Sequence, residues 1–161
     1  MDQAPNPGKT IDAPRGIFPA RVDEKGRLKL PSPFQQYLYA LGEQKVFITT
    51  LDERTARIYP ISVWKENENF FDQFADDPAA AEDVAFVAND WGADSELDSQ
   101  GRLLVPQELR RALGIENQPV WLHCYKGRIN VYSKQVYEER KSRASQGLAE
   151  KVQLLEKRGL K

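Results

Sequence analysis

The sequence contains a short basic segment whose side chains are suited to binding phosphate and the edges of nucleic-acid bases. Between residues 15 and 29 it has five basic residues against two acidic ones. Arginine can pair bidentately with phosphate or with guanine, whereas lysine mostly contacts phosphate. The basic residues, which we take as candidate contacts to double-stranded DNA, are Arg15, Arg21, Lys25, Arg27 and Lys29.

The order of side chains predicts how this segment presents its charge. Successive residues of a strand point to opposite faces, so Arg27 and Lys29 should share one face while Leu28 and Leu30 share the other. We expect Arg27 to read a base, and Arg21, Lys25 and Lys29 to contact the DNA backbone. A two-stranded ribbon of this kind fits the major groove.

The same motif recurs 75 residues later, which indicates an internal duplication. Residues 22–31 align without gaps to residues 97–106, and Asp, Gly, Arg, Leu and Pro recur at the same spacing. In each copy the aspartate can accept hydrogen bonds from nearby backbone amides, and the glycine can adopt positive φ, so each copy predicts a tight turn between two strands. The structural residues of the two turns are Asp23 and Gly26, then Asp98 and Gly101.

Two roles remain open for the arginine that follows each turn. Arg27 could contact DNA, or it could form an ion pair with Asp23 that only braces the hairpin. The second copy keeps Arg102 beside Asp98 but replaces both lysines, with Gln100 and a leucine at 104. Arg102 is therefore also a candidate DNA contact, and the alternative is that it only braces its turn by pairing with Asp98.

Each copy continues into a helix and two further strands. Ser32 is predicted to cap the first helix, with Pro33 at its first position and Gln35 completing a capping box. Strands are expected over 16–22, 27–30, 45–50 and 56–59 in the first copy, and over 120–125 and 128–131 in the second. Between the copies, 62–74 and 77–89 should be helical, with Asp77 as an N-cap. A final helix is expected around residues 148–155.

Charge is distributed unevenly although the net charge is only −1. Residues 66–98 contain eleven acidic residues and no lysine or arginine, whereas residues 134–161 carry eight basic and four acidic residues.

The N-terminal residues show no apolar signal core, and no apolar run approaches the ~20 residues that span a bilayer. The single cysteine, Cys124, fits a reducing compartment. A cytoplasmic, nucleoid-associated protein without a metal, a cofactor or a membrane partner is expected.

The duplicated motif resembles that of the MraZ family. The resemblance rests on Arg15-Gly16, on the segment 22–31, on the second D-x-x-G-R at 98–102, and on Tyr59-Pro60 followed by Trp64. It implies a mainly β protein with α elements (α+β), in which two AbrB-like swapped-hairpin units supply strands to small β-barrels and are joined by linker helices. It also implies assembly into rings, and binding to repeated DNA sites upstream of the family's own cell-wall and division operon.

The expected domain organisation follows from these elements. It comprises a disordered extension (1–14), unit 1 (15–64), an acidic helical linker (65–91), unit 2 (92–137) and a charged tail (138–161) that contains the expected final helix. An enzyme is disfavoured, because His123 has no partner at a recognisable spacing and no phosphate loop or nucleophile elbow occurs; no small-molecule substrate is expected. The alternative is a ring-forming or antitoxin-like scaffold that binds proteins without specific DNA binding.

Overall fold

The structure, a computed structural model, describes residues 11–161. The predicted disordered extension falls largely outside these residues. The first half contains β1 (Ile17–Arg21), β2 (Arg27–Lys29), α1 (Ser32–Ala40), β3 (Lys45–Thr49) and β4 (Ala56–Pro60). The linker contains α2 (Ile61–Gln73) and α3 (Pro78–Trp91). The second half contains β5 (Ala93–Glu96), β6 (Arg102–Leu104), α4 (Gln107–Ala112), β7 (Pro119–Tyr125) and β8 (Arg128–Ser133), followed by α5 (Lys134–Ser145) and α6 (Leu148–Glu156).

The strands form a mixed α/β protein around one large antiparallel sheet. Its six strands run in the order β1-β7-β8-β4-β3-β5, and β2 pairs with β6 in a separate two-stranded ribbon. Each strand of the first half has a counterpart in the second, namely β5 for β1, β6 for β2, β7 for β3 and β8 for β4. Exchanging the counterparts gives the same strand order read from the opposite edge of the sheet, as expected for a duplicated unit. Over residues 11–161 the large sheet is open, with β1 and β5 at its edges, so the prediction of closed barrels is wrong. The strands that would have extended those edges, β2 and β6, pair with each other instead.

The main core lies between the large sheet, the ribbon, and helices α1 and α4. Leu28 and Leu103 of the ribbon, Phe34 of α1 and Leu109 of α4 are fully buried in it. The alternate residues of the sheet face the other way, where Trp64 of α2 packs on the aromatic residues of β3 and β4. Because both halves contribute to the main core, neither half encloses it alone.

Of the two side-chain caps predicted for helix starts, the one on α3 is confirmed and the one on α1 is wrong. Asp77 caps α3, its carboxylate accepting the amide of Ala80 at 3.0 Å. The capping box expected for α1 is wrong, because α1 begins after Pro31 without a side-chain cap. Gln35 instead donates its amide to the carbonyl of Leu30 at 2.7 Å, which ties the helix back to the end of β2.

Candidate nucleic-acid interface

The ribbon of β2 and β6 presents a basic outer face. Its register pairs Arg27 with Leu104 and Lys29 with Arg102, so these four side chains point to the same side. Lys29 and Leu104 are exposed, while the two arginines are half-buried. Three cations and one exposed leucine therefore lie together on a two-stranded antiparallel surface.

The inner face of the ribbon holds the apolar residues, as the alternation predicted. Leu28 and Leu30 are fully buried, and Leu103 lies opposite Leu28.

The partner of β2, however, differs from the predicted hairpin. β1 pairs with β7 along its length, and β1 and β2 are joined only by the bridge from Val22 to Leu28. The basic ribbon consequently joins one strand from each half of the chain.

Both turns are braced by the predicted ion pair. Arg27 Nε lies 3.0 Å from Asp23 Oδ2, and the other carboxylate oxygen accepts the backbone amides of Lys25 and Arg27 at 2.9 and 2.8 Å. In the second copy Arg102 Nε lies 2.9 Å from Asp98 Oδ2, with the same backbone pattern. The bracing role therefore exists in both copies, and it engages the Nε edge of each guanidinium.

These hydrogen bonds stabilise the charged form of each carboxylate. The backbone amide of Arg27, followed by its guanidinium, holds the pKa of Asp23 below its usual range against the opposing effect of burial. The amide and guanidinium of Arg102 lower the pKa of Asp98 in the same way. A carboxylate whose pKa is lower in the folded state stabilises the fold above its unfolded pKa, and that contribution is lost as pH falls through the folded pKa.

We expect acid to weaken both turns together. Between about pH 6 and pH 2, which spans the ordinary titration range of aspartate, the free energy of unfolding should fall more steeply in wild type than in Asp23→Asn or Asp98→Asn. Urea unfolding at several pH values measures this slope. The exposed Asp90→Asn on α3 serves as the control and should keep the wild-type slope. Equal slopes in all four proteins would contradict the brace.

The turn glycines receive side chains from the opposite half. Gly26 has φ of +83°, and a Cβ there would meet the guanidinium of Arg110 from α4. Gly101 has φ of +75°, and its Cβ would meet the amide of Gln35 from α1. Arg110 is itself held by the carbonyl of Val105 at 2.7 Å. Arg110 thus supports the candidate interface. The one sequence signal for this role is that Arg110 is the fourth residue of α4, just as Gln35 is the fourth residue of α1.

The remaining candidates lie around the ribbon rather than on it. Lys25 is exposed at the tip of the first turn. Arg21 ends β1 and donates to the carbonyl of Asn117 at 2.8 Å and to its side chain at 3.1 Å. Arg15 precedes β1 on an exposed segment, with its side chain 84% exposed. Arg27, Lys29 and Arg102 are therefore brought together on the ribbon, whereas Arg15 and Arg21 belong to the segment before it.

Residues 11–161 contain no cluster of three or more His, Cys, Asp or Glu side chains that could hold a metal ion. No helix in this part of the chain is long and apolar enough to cross a membrane.

The fold and the site define a mixed α/β protein with two ion-pair-braced turns and a basic antiparallel ribbon shared between its halves. A family model described as "MraZ protein, putative antitoxin-like" matches residues 92–158. The transcriptional regulator MraZ of Acidobacterium capsulatum is 38% identical over 106 residues, covering 66% of this chain and 73% of the relative. That of Anaeromyxobacter sp. (strain Fw109-5) is 35% identical over 127 residues, covering 76% and 85%. The chain belongs to the MraZ family of transcriptional regulators.

Proposed function

We propose that this chain regulates transcription by binding specific double-stranded DNA through the ribbon of β2 and β6. The observation that carries the proposal is the outer face of this ribbon, where Arg27, Lys29 and Arg102 point the same way. A two-stranded ribbon fits the major groove, and guanidinium groups there can pair with guanine. The names of the relatives support the same function.

Separate roles for the basic residues follow from their positions. Arg27 and Arg102 brace their turns through Nε, which leaves the terminal nitrogens of a half-buried guanidinium as the groups to read a base. Lys29 and Lys25 are exposed and suit phosphate contacts. Arg15 and Arg21 would contact the DNA backbone beside the ribbon. Lys29 also donates to the carbonyl of Gln100, a bond that phosphate contact would replace.

The proposed architecture is a fused pair of AbrB-like swapped-hairpin units, residues 15–64 and 92–137, joined by the acidic linker 65–91 and followed by the tail 138–161. The exchange of strands between halves supports it, since β1 pairs with β7 and β5 pairs with β3. Fusion also covers strand edges that a single unit would leave unpaired.

One ribbon offers few phosphate contacts, so useful affinity should come from several subunits on repeated sites. Linking binding modules raises apparent affinity without any new type of contact. A homo-oligomeric ring acting on repeats upstream of the chain's own operon would meet this need, and such a regulator would work in the cytoplasm at the nucleoid. No small-molecule substrate or catalytic step is part of the proposal.

The test is a titration of labelled DNA from upstream of the chain's own gene against scrambled DNA at several salt concentrations. Wild type should prefer its own DNA, and Lys29→Ala should flatten the slope of log affinity against log salt by about 0.9, as expected for one lost phosphate contact. Arg27→Ala should reduce the preference by about 1–3 kcal/mol if it reads a base. Lys65→Ala, an exposed lysine on α2, is the matched control and should change neither quantity.

Circular dichroism and sedimentation should show that each variant remains folded and assembled. Equal binding of specific and scrambled DNA by wild type at moderate salt would overturn the proposal. The duplicated turns would then be interpreted as an assembly scaffold, in line with the antitoxin-like description of the family model.

A further inference from the structure

A second basic site lies in a cavity between the large sheet and helix α5. The cavity has a volume of about 400 Å³ and is formed by the β3–β4 loop, strands β4 and β8, the end of β7, and α5. Its lining contains five arginines, which are Arg54, Arg57, Arg128, Arg140 and Arg143. Volumes of about 300–1,000 Å³ are typical of small-molecule sites.

The acidic residues of the cavity offset only part of the charge of these arginines. The lining has only two carboxylates, Asp52 and Glu139. Asp52 accepts the backbone amides of its own loop, at 2.9 Å from Arg54 and 2.8 Å from Thr55. Glu139 pairs with the guanidinium of Arg54 at 2.7 Å. The pairing within the cavity is therefore largely between Arg54 and Glu139.

The other four arginines have neutral partners or none among the described residues. Arg57 donates to the hydroxyl of Tyr59 at 2.9 Å, and Arg128 donates to the amide oxygen of Asn130 at 3.2 Å. Over residues 11–161, neither of these nor Arg140 and Arg143 has a carboxylate oxygen within 4.0 Å. Four guanidinium groups around one concave space favour an anion with several charged oxygens.

The positive field extends to the neighbouring strand. His123 lies opposite Asn130 on β7, and burial together with the charge of Arg140 lowers the pKa of its imidazole. A lower pKa favours the neutral imidazole, so the positive charge beside the cavity comes from the arginines and not from His123.

The cavity and the ribbon lie on opposite faces of the large sheet. Arg57 and Asn130 are cross-strand neighbours, and both alternate with the residues Ile58 and Ile129, which pack into the core beneath the ribbon. A duplex lying on the outer face of the ribbon is separated from the cavity by the core and the sheet. Phosphates of that duplex are thus not the natural occupants.

We propose that this cavity binds a small, multiply phosphorylated ligand through Arg57, Arg128, Arg140 and Arg143. The guanidinium groups would hold phosphate oxygens by charge-assisted, bidentate hydrogen bonds. Half-buried Tyr132 and the exposed ring of Tyr125 flank the phosphates and offer apolar surface to the rest of the ligand. The site is independent of the proposed DNA interface, and its failure would leave that proposal standing.

Calorimetric titration of the full chain tests the proposal with inorganic pyrophosphate and ADP as probes, and with adenosine as the control that lacks phosphate. Pyrophosphate and ADP should bind saturably and adenosine should not. Arg143→Gln and Arg57→Gln should each weaken binding by about tenfold or more, the size expected for one lost charge-assisted contact. Arg158→Gln, an exposed arginine beyond α6, should leave the affinity unchanged.

Arg143 is exposed on α5 and makes no hydrogen bond from its side chain to another described residue, so its variant should fold even if Arg57→Gln does not. A DNA titration of the same variants distinguishes a small phosphorylated ligand from the DNA backbone as the occupant of the cavity. Loss of pyrophosphate binding with unchanged DNA affinity supports the proposal. Two results overturn it: pyrophosphate and ADP fail to bind wild type, or Arg143→Gln binds pyrophosphate as tightly as wild type does. If the probes fail to bind and Arg143→Gln weakens DNA binding, the cavity belongs to the DNA backbone instead.

Discussion

Replacing Trp64 with alanine should lower the free energy of unfolding by about 3–5 kcal/mol, the usual cost of removing a buried aromatic side chain. Trp64 is 3% exposed, and its ring stacks on Phe47 at 4.6 Å and packs against Tyr59 at 4.9 Å between ring centroids. These rings hold α2 against β3 and β4. Alanine would leave a cavity that the stiff sheet cannot close, so the lost contacts would not be replaced.

Urea unfolding followed by circular dichroism measures the effect of Trp64→Ala. The matched control is Phe70→Ala, which removes another aromatic ring from the same helix at a position that is 59% exposed. That variant should lose less than about 1 kcal/mol, because most of its apolar surface already contacts water. A similar loss in the two variants would show that α2 is not held by the Trp64 cluster.

Leu103→Ala should cost about 2–5 kcal/mol, the range measured when a buried leucine is truncated. Leu103 is fully buried and lies opposite Leu28, which is fully buried as well. The pair fixes the ribbon on the main core, so truncation should also loosen the basic face above it. Leu28→Ala should cost a similar amount, although Leu28 belongs to the other half of the chain.

The adjacent Leu104→Ala is the control, since Leu104 is 56% exposed and points outward. Its stability should stay within about 0.5 kcal/mol of wild type, as is usual for surface positions. Both buried variants should unfold in one transition, because the halves share their core. Two separate transitions, with only one shifted by Leu103→Ala, would contradict a shared core.

Short-range features of this protein could be predicted from the sequence. The braced turn needs only Asp23, Gly26 and Arg27, and the alternation of Leu28 and Lys29 needs only a strand. The cap of Asp77 on α3 is equally local. These interactions join residues at most four positions apart, so the chain between them restricts the geometry before tertiary packing adds anything.

The partners of the strands depended on tertiary structure. The edges of β2 offer the same backbone donors and acceptors to β1 and to β6, so turn chemistry alone favoured the adjacent strand. The structure pairs β2 with β6, which allows Leu28 and Leu103 to be buried together beneath one ribbon. It also leaves the six-stranded sheet open where closed barrels were expected.

The duplication, the two turns and the charged residues of the strands follow from the amino-acid sequence alone. Only the folded chain shows that Arg102 lies beside Lys29, that Arg110 supports Gly26, and that five arginines from a loop, two strands and a helix surround one cavity. The difference comes from how far apart along the chain the interacting residues lie. Turn and cap geometry comes from neighbours along the chain, whereas the choice among chemically equivalent strand edges depends on which arrangement buries the most apolar surface over the whole molecule.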